Sequence, residues 1–169
     1  PKEEFLHLAE RHPDLRMERE TNGTTTIMSP VKKGTSRREG DLFGLLYLWK
    51  IQTNAQGEVH GPNGTYDLPN GATKMSDASW ISPERLATSA DDEERFIQTV
   101  PDFVAEIRSS SDRLSKLQEK MSDSWIANGV RLAWLIDPYE EKAYVYRHGT
   151  DQPEVVEGFA GKTLDGADV

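Results

Sequence analysis

Apolar and polar positions alternate over Asp102–Arg108, the pattern of a β-strand whose successive side chains point to opposite faces. Phe103, Ala105 and Ile107 fall on one side, and Val104, Glu106 and Arg108 on the other. The serines at 109–111 can cap a following helix with Asp112 in its first turn. That helix carries Leu114, Leu117, Met121 and Trp125 on one stripe and stops at Asn128-Gly129. Arg131–Ile136 is a short apolar strand closed by Asp137-Pro138, and Lys142–Arg147 returns as its hairpin partner. The order strand, helix, strand predicts a parallel βαβ unit.

Upstream, Glu3–Arg11 reads as a short helix ended by His12-Pro13. Leu15–Glu18 alternates, Asn22-Gly23 supplies a hairpin turn, and Thr24–Met28 returns. Arg38–Gln52 places Leu42, Leu45, Leu46, Leu48 and Trp49 at helical intervals, predicting a wide core-packing stripe. Strand candidates follow at 58–60 and 65–68, and 74–81 reads as one extended stretch containing Asp77. Ser82-Pro83-Glu84 opens a helical turn, and residues 88–95 predict an acidic loop with a short surface helix. The tail after Gly158, with Asp165 and Asp168, reads as loose. The whole predicts an α/β fold in one domain over 1–169, with a mixed central β-sheet flanked by helices.

Composition narrows the function classes. With no cysteine, disulfides, thiolate zinc sites and cysteine nucleophiles are excluded together. No apolar run approaches the roughly 20 residues of a membrane helix, so a cytoplasmic protein with no membrane partner is expected. A net charge of −9 opposes long-range attraction to nucleic acid. The charge is uneven, however: Lys32, Lys33, Arg37 and Arg38 form a basic run, and Asp91, Asp92, Glu93 and Glu94 an acidic one. The histidines are scattered without paired spacing, and neither a Gly-rich phosphate loop nor a GxSxG elbow occurs.

Three acids lie beside apolar residues in strand-like segments: Glu18, Asp77 and Glu106. Converging, they would make an oxygen-rich pocket suited to Mg²⁺ or Mn²⁺. Arg108, or Lys116 and Lys120 one helical turn apart, would supply the neighbouring positive charge. Plainer readings stand beside these. Glu18 alone suits a solvated strand residue, Asp77 suits an Asx turn, and Arg108 suits an ion pair that satisfies Glu106. The lysines suit a solvated face, although Lys120 adjoins the Leu117–Met121 stripe and can reach the sheet. Asp102 cannot share a metal with Glu106, because four strand residues span roughly 13 Å. It reads as a capping acid at the start of the strand.

The segments Pro13–Glu18, Ile27–Pro30, Leu68–Ala72, Ser76–Trp80, Pro101–Ser109, Asp112–Leu114, Leu117–Met121 and Trp134–Pro138 occur in the order expected of one group. On them the chain resembles the Uma-two family of restriction endonucleases, a branch of the PD-(D/E)XK nuclease superfamily. The resemblance implies a restriction-endonuclease-like core over about residues 13–147. It also implies Asp77 and Glu106 as paired metal ligands and Glu18 as an auxiliary acid. The superfamily's motif lysine, two residues after the second acid, is Arg108 here, and arginine cannot act as a general base. Lys120 matches the place on the following helix to which relatives move that lysine. Ser76 stands where a proline usually precedes the first acid.

The expectation is a Mg²⁺-dependent endonuclease acting on DNA. Asp77 and Glu106 hold the metal, the Ile107 carbonyl adds a ligand, and Lys120 or Arg108 orients the attacking water. Lys32, Lys33, Arg37 and Arg38 would meet phosphates, and cutting both strands makes a homodimer a candidate assembly. The alternatives are a nuclease fold that binds without cutting and a purely structural ion-pair cluster around Glu106.

Overall fold

The computed structural model describes residues 1–89, 92–167 and 169. Asp91 of the acidic run and Asp168 of the tail lie outside the described residues. The elements run α1 (Lys2–Arg11), β1 (Met17–Arg19), β2 (Thr25–Ile27), α2 (Lys33–Thr53), β3 (Glu58–His60), β4 (Thr65–Asp67), β5 (Thr73–Met75) and β6 (Ala78–Ile81). There follow α3 (Pro83–Leu86), β7 (Phe103–Ile107), α4 (Leu114–Glu119), β8 (Leu132–Asp137), β9 (Lys142–Arg147) and β10 (Glu154–Glu157).

Two sheets form, a four-stranded one in the order β2-β1-β5-β4 and a six-stranded one in the order β10-β9-β8-β7-β6-β3. β7 and β8 pair in parallel, with Phe103 opposite Leu132 and Ile107 opposite Ile136, as the βαβ reading requires. The neighbouring pairs β6–β7 and β8–β9 are antiparallel, so the large sheet is mixed. β7 is central and all five of its residues are buried, so its alternation separates two covered faces. Val104 packs with Met121, Trp125, Ala133 and Leu135. Phe103 and Ala105 pack with Trp80 on the other side, against Leu42, Leu46 and Trp49 of α2. Helices therefore flank the sheet on both faces.

Four local expectations are corrected. First, α2 begins at Lys33, not Arg38, so the basic run belongs to its first turns. Its inward stripe is Leu42, Leu46 and Trp49, extended by the buried Thr35 and Glu39, while Leu45 and Leu48 are exposed. Second, the stretch 74–81 is broken at Ser76-Asp77: β5 belongs to the small sheet and β6 to the large one. Third, the described residues of the acidic segment form turns and no helix. Fourth, the helix after β7 starts at Leu114 without a side-chain cap. Asp112 instead accepts the Ser109 N–H at 2.7 Å, the local side-chain bond that competes with helix initiation.

After Glu119 the chain widens into a π-helical turn, Lys120–Trp125, then tightens over Ile126–Asn128 and ends at Gly129 with φ 96°. Residues five apart diverge by about 140° in an α-helix of 3.6 residues per turn. The i→i+5 winding brings them near one face, and here those residues are Lys120 and Trp125.

At the opposite end of β7 the sheet is pinned by Asp102, wholly buried. Its Oδ2 accepts the Ser82 N–H at 2.7 Å, while Oδ1 pairs with the Nε of Arg85 at 3.0 Å and of Arg131 at 3.2 Å. Arg85 also donates to the carbonyls of Val100, Pro101 and Gly129. Removing Asp102 leaves the Ser82 N–H without its acceptor and the half-buried Arg85 without its carboxylate, which costs about 1–3 kcal/mol. Asp102→Ala should lose about that much unfolding free energy, read from the urea midpoint; a loss under roughly 1 kcal/mol would refute the pinning role.

Candidate functional site

The break between β5 and β6 creates the site. Ala78 pairs with Ala105 in the antiparallel register, so Asp77, one residue earlier, lies opposite Glu106. Its Oδ2 accepts the Ile107 N–H at 2.7 Å, which fixes the carboxylate against β7. Glu106 is 4% exposed on the face toward α4. Trp125 Nε1–H donates to its Oε1 at 3.0 Å, and the Lys120 ammonium lies 2.9 Å from the same oxygen.

Lys120 is the hub. Its Nζ also donates to Glu18 Oε1 at 2.8 Å and to the Met75 carbonyl at 2.6 Å. One ammonium thus joins β1, β5, β7 and the π-helical turn, using its three donors on three elements besides its own. Glu18 takes further donors, the Met75 N–H at 3.1 Å and Lys74 Nζ at 3.4 Å. Lys74 is buried and also meets Glu20 at 2.5 Å. A cleft of about 740 Å³ between the β1–β2 hairpin and α4 opens onto Glu18, Lys74 and Lys120.

The charges are unequal. Burial would raise the Glu18 carboxyl, but Lys120, Lys74 and the bonds from Lys120 and Met75 together hold it below its usual range. Glu106 is raised, first by burial and then by the Glu18 charge, with Lys120 and Trp125 only partly compensating. Asp77 is pushed up to about 8, by burial first and next by Glu106, with the Ile107 N–H and Lys120 opposing and Glu39 adding to the rise. Lys120 is held well above the ordinary lysine range by Glu106 and Glu18, despite burial acting the other way.

Glu18, Asp77, Glu106 and Lys120 therefore come together. Arg108 does not join them. It pairs with Asp137 at 2.6 Å and Glu140 at 3.6 Å, on the turn after β8. This corrects the expectation that its guanidinium accompanies Glu106. Lys116 stays on the solvent face, 2.6 Å from Glu119. Lys32, Lys33 and Arg37 are exposed at the start of α2, with Arg37 3.8 Å from Asp41.

Sequence reasoning missed three residues here. Glu39 comes from α2 and is buried; the signal was its place four residues after Thr35 and three before Leu42, on the same helix face. Lys74 lay in plain view three residues before Asp77 but reads as a surface strand residue. Trp125 reads as core and also has a polar edge that binds Glu106.

The chemistry of the donors suits a hard divalent cation. Asp77 has acidic neighbours and, among the described residues, no cation within ion-pair distance. Among the described residues no group of three or more His, Asp or Glu side chains forms a metal cage, so two carboxylates would be supplemented by carbonyl and water oxygens. That is the usual manner of Mg²⁺, which keeps several waters and takes one or two carboxylates.

Comparison with known proteins agrees with this architecture. The crystal structure of a protein described as a putative nuclease belonging to DUF820, from Anabaena variabilis ATCC 29413, superposes with a TM-score of 0.78 at 19% identity. The match covers 98% of this chain and 89% of that one, and it shows a shared restriction-endonuclease-like fold. No curated protein matches the chain. The model of the Uma2 family, described as "Putative restriction endonuclease", matches residues 2–168, and the chain belongs to that family.

Proposed function

We propose that the chain is an endonuclease that hydrolyses DNA phosphodiester bonds with Mg²⁺ or Mn²⁺. Asp77 and Glu106 hold the ion and the Ile107 carbonyl adds an oxygen. The observation that carries this reading is Asp77 itself: a carboxylate fixed opposite Glu106, raised by burial and then by Glu106, with no cation within ion-pair distance among the described residues. When bound, a divalent ion supplies Lewis-acid polarisation of the scissile phosphate and a ready source of nucleophile at neutral pH.

The chain's own residues do the rest. Lys120 stays protonated, so it serves as a fixed positive charge and hydrogen-bond donor, not as a base. With its three donors taken by Glu18, Glu106 and the Met75 carbonyl, it acts through its charge, offsetting negative charge that grows on the phosphorane oxygens. Glu18 and the Met75 carbonyl hold Lys120 in place. Trp125 restrains Glu106 in the same way and screens it from water. Lys32, Lys33, Arg37 and Arg38, on the first turns of α2, where the helix dipole is also positive, meet the DNA backbone.

Glu106→Gln and Lys120→Met should each lower Mg²⁺-dependent nicking of a plasmid by about 10²–10³-fold, the size of losing one electrostatic stabiliser. Equal nicking by wild type and Glu106→Gln would end the catalytic assignment and leave a fold that binds without cutting.

The raised Asp77 gives a pH signature. Below about 8 an ion must displace a proton, so its apparent affinity should rise close to tenfold per pH unit and level off above about 8. Calorimetry in buffers of differing ionisation enthalpy would count the released proton; pH-independent affinity with no release contradicts the ligand role. Without metal the sign for folding is opposite. A carboxyl raised above its unfolded value of about 3.9 contributes stability below that value, and loses it as pH rises through about 8. Metal-free Asp77→Asn should therefore melt a few degrees above wild type at about pH 9, the gap closing toward pH 6. A thermal scan in chelator in which Asp77→Asn melts lower at both pH values would show that Asp77 is not repelled by its neighbours.

A further inference from the structure

At the carboxyl end of β8 an exposed tyrosine sits on a turn whose backbone is held by Asp137. Asp137 Oδ1 accepts the N–H groups of Tyr139 at 2.9 Å and Glu140 at 3.2 Å, and its Oδ2 receives Arg108 at 2.6 Å. Pro138 fixes its own φ, and Glu141, at φ 50°, turns the chain into β9. The Tyr139 ring is nevertheless 48% exposed. Arg38 of α2 lies 5.5 Å from its centroid and Arg108 6.0 Å.

Both arginines border the acidic site. Arg108 follows Glu106 by two strand residues, about 7 Å at roughly 3.3 Å each. Arg38 adjoins Glu39, whose charge raises Asp77. Their partners differ. Arg108 is neutralised by Asp137 and Glu140, and Arg37 approaches Asp41. Arg38 has no carboxylate within ion-pair distance among the described residues.

We propose that Tyr139 is a stacking platform for an unpaired base of single-stranded DNA next to the scissile phosphate, with Arg38 taking the adjoining phosphate. The inference rests on the nuclease reading and names the strand state it acts on. Every base offers a π-face, so a fixed ring binds single strands with little sequence preference, and a neighbouring arginine adds charge and its own stacking plane. A paired base in a duplex presents no face to such a ring. The Arg38 side chain is long enough to swing toward a phosphate and leave the ring face to the base.

The test uses the full chain with Ca²⁺ and a single-stranded DNA oligonucleotide carrying one 2-aminopurine, whose fluorescence is quenched by stacking. Wild type and Tyr139→Phe should bind and quench alike. Tyr139→Leu should bind about tenfold or more weakly and lose the quenching. Arg38→Gln should keep the quenching but lower the salt slope of binding by about one contact. Quenching by Tyr139→Leu equal to wild type overturns the platform, as does tighter binding of duplex or of RNA than of single-stranded DNA. Cleavage of the same single-stranded oligonucleotide in Mg²⁺ is scored separately: intact quenching without cleavage sinks only the catalytic reading, and cleavage without Tyr139-dependent quenching sinks only the platform.

Discussion

The Lys120 ammonium is the contact on which the site depends. Glu18 belongs to the small sheet and Glu106 to the large one, and both are nearly withdrawn from water. Two such carboxylates repel and each is costly to bury, so neither would stay ionised without a shared cation. Lys120 supplies it from a third element and spends its last donor on the Met75 carbonyl, at the point where the chain leaves one sheet for the other. That crossing sets Asp77 opposite Glu106. The same interaction therefore ties the sheets, seats the acids and leaves Asp77 as the carboxylate not compensated by a direct ion pair.

The π-helical turn explains how one helix serves both core and site. Met121 must enter the apolar cluster, while Lys120 and Trp125 must both reach Glu106. Regular α-winding would carry the last two to different sides. Widening the helix over six residues reconciles the demands, and the tight turn that follows restores the chain to β8. α2 meets a comparable demand by changing the chemistry of its inward stripe. Thr35 and Glu39 occupy the turns nearest the site, and Leu42, Leu46 and Trp49 continue the same face against Trp80 and Phe103.

Where pattern and packing coincide, the residues were legible in the sequence. The βαβ unit over β7 and β8 and both hairpins are of that kind, whereas the grouping of Asp77 with Glu106 and the place of Lys120 were implied by the family resemblance and not by the pattern. The misreadings share a cause, which is that periodicity records burial and not which neighbour does the burying. The stretch 74–81 is extended throughout, and nothing in its alternation says that its halves join different sheets. Leu45 and Leu48 satisfy a helical stripe yet face outward, because the sheet covers only part of α2. Arg108 has the right spacing from Glu106, but the parallel register places Asp137 beside it, and that carboxylate captures the guanidinium. Lys74 and Glu39 could be recognised only once their ionic neighbours were known.

The position of Arg108 bears on how an acidic protein can handle a polyanion. A chain of net charge −9 cannot rely on long-range attraction to nucleic acid, so on the proposed reading DNA binding would come from a few cations held where carboxylates do not cancel them. Asp137 cancels Arg108 and in the same act stiffens the turn that presents Tyr139. Arg38, Lys32 and Lys33 have no such partner within ion-pair distance among the described residues and cluster at the positive end of α2. On the proposed reading, the position two residues after Glu106 serves as a structural brace, Lys120 would supply the catalytic charge, and substrate contact would fall to α2 and an uncharged ring. Division of these tasks among separate residues lets two of them keep a fixed charge: Lys120 is locked by its carboxylates and Arg108 by Asp137, while Asp77 is pushed up to about 8.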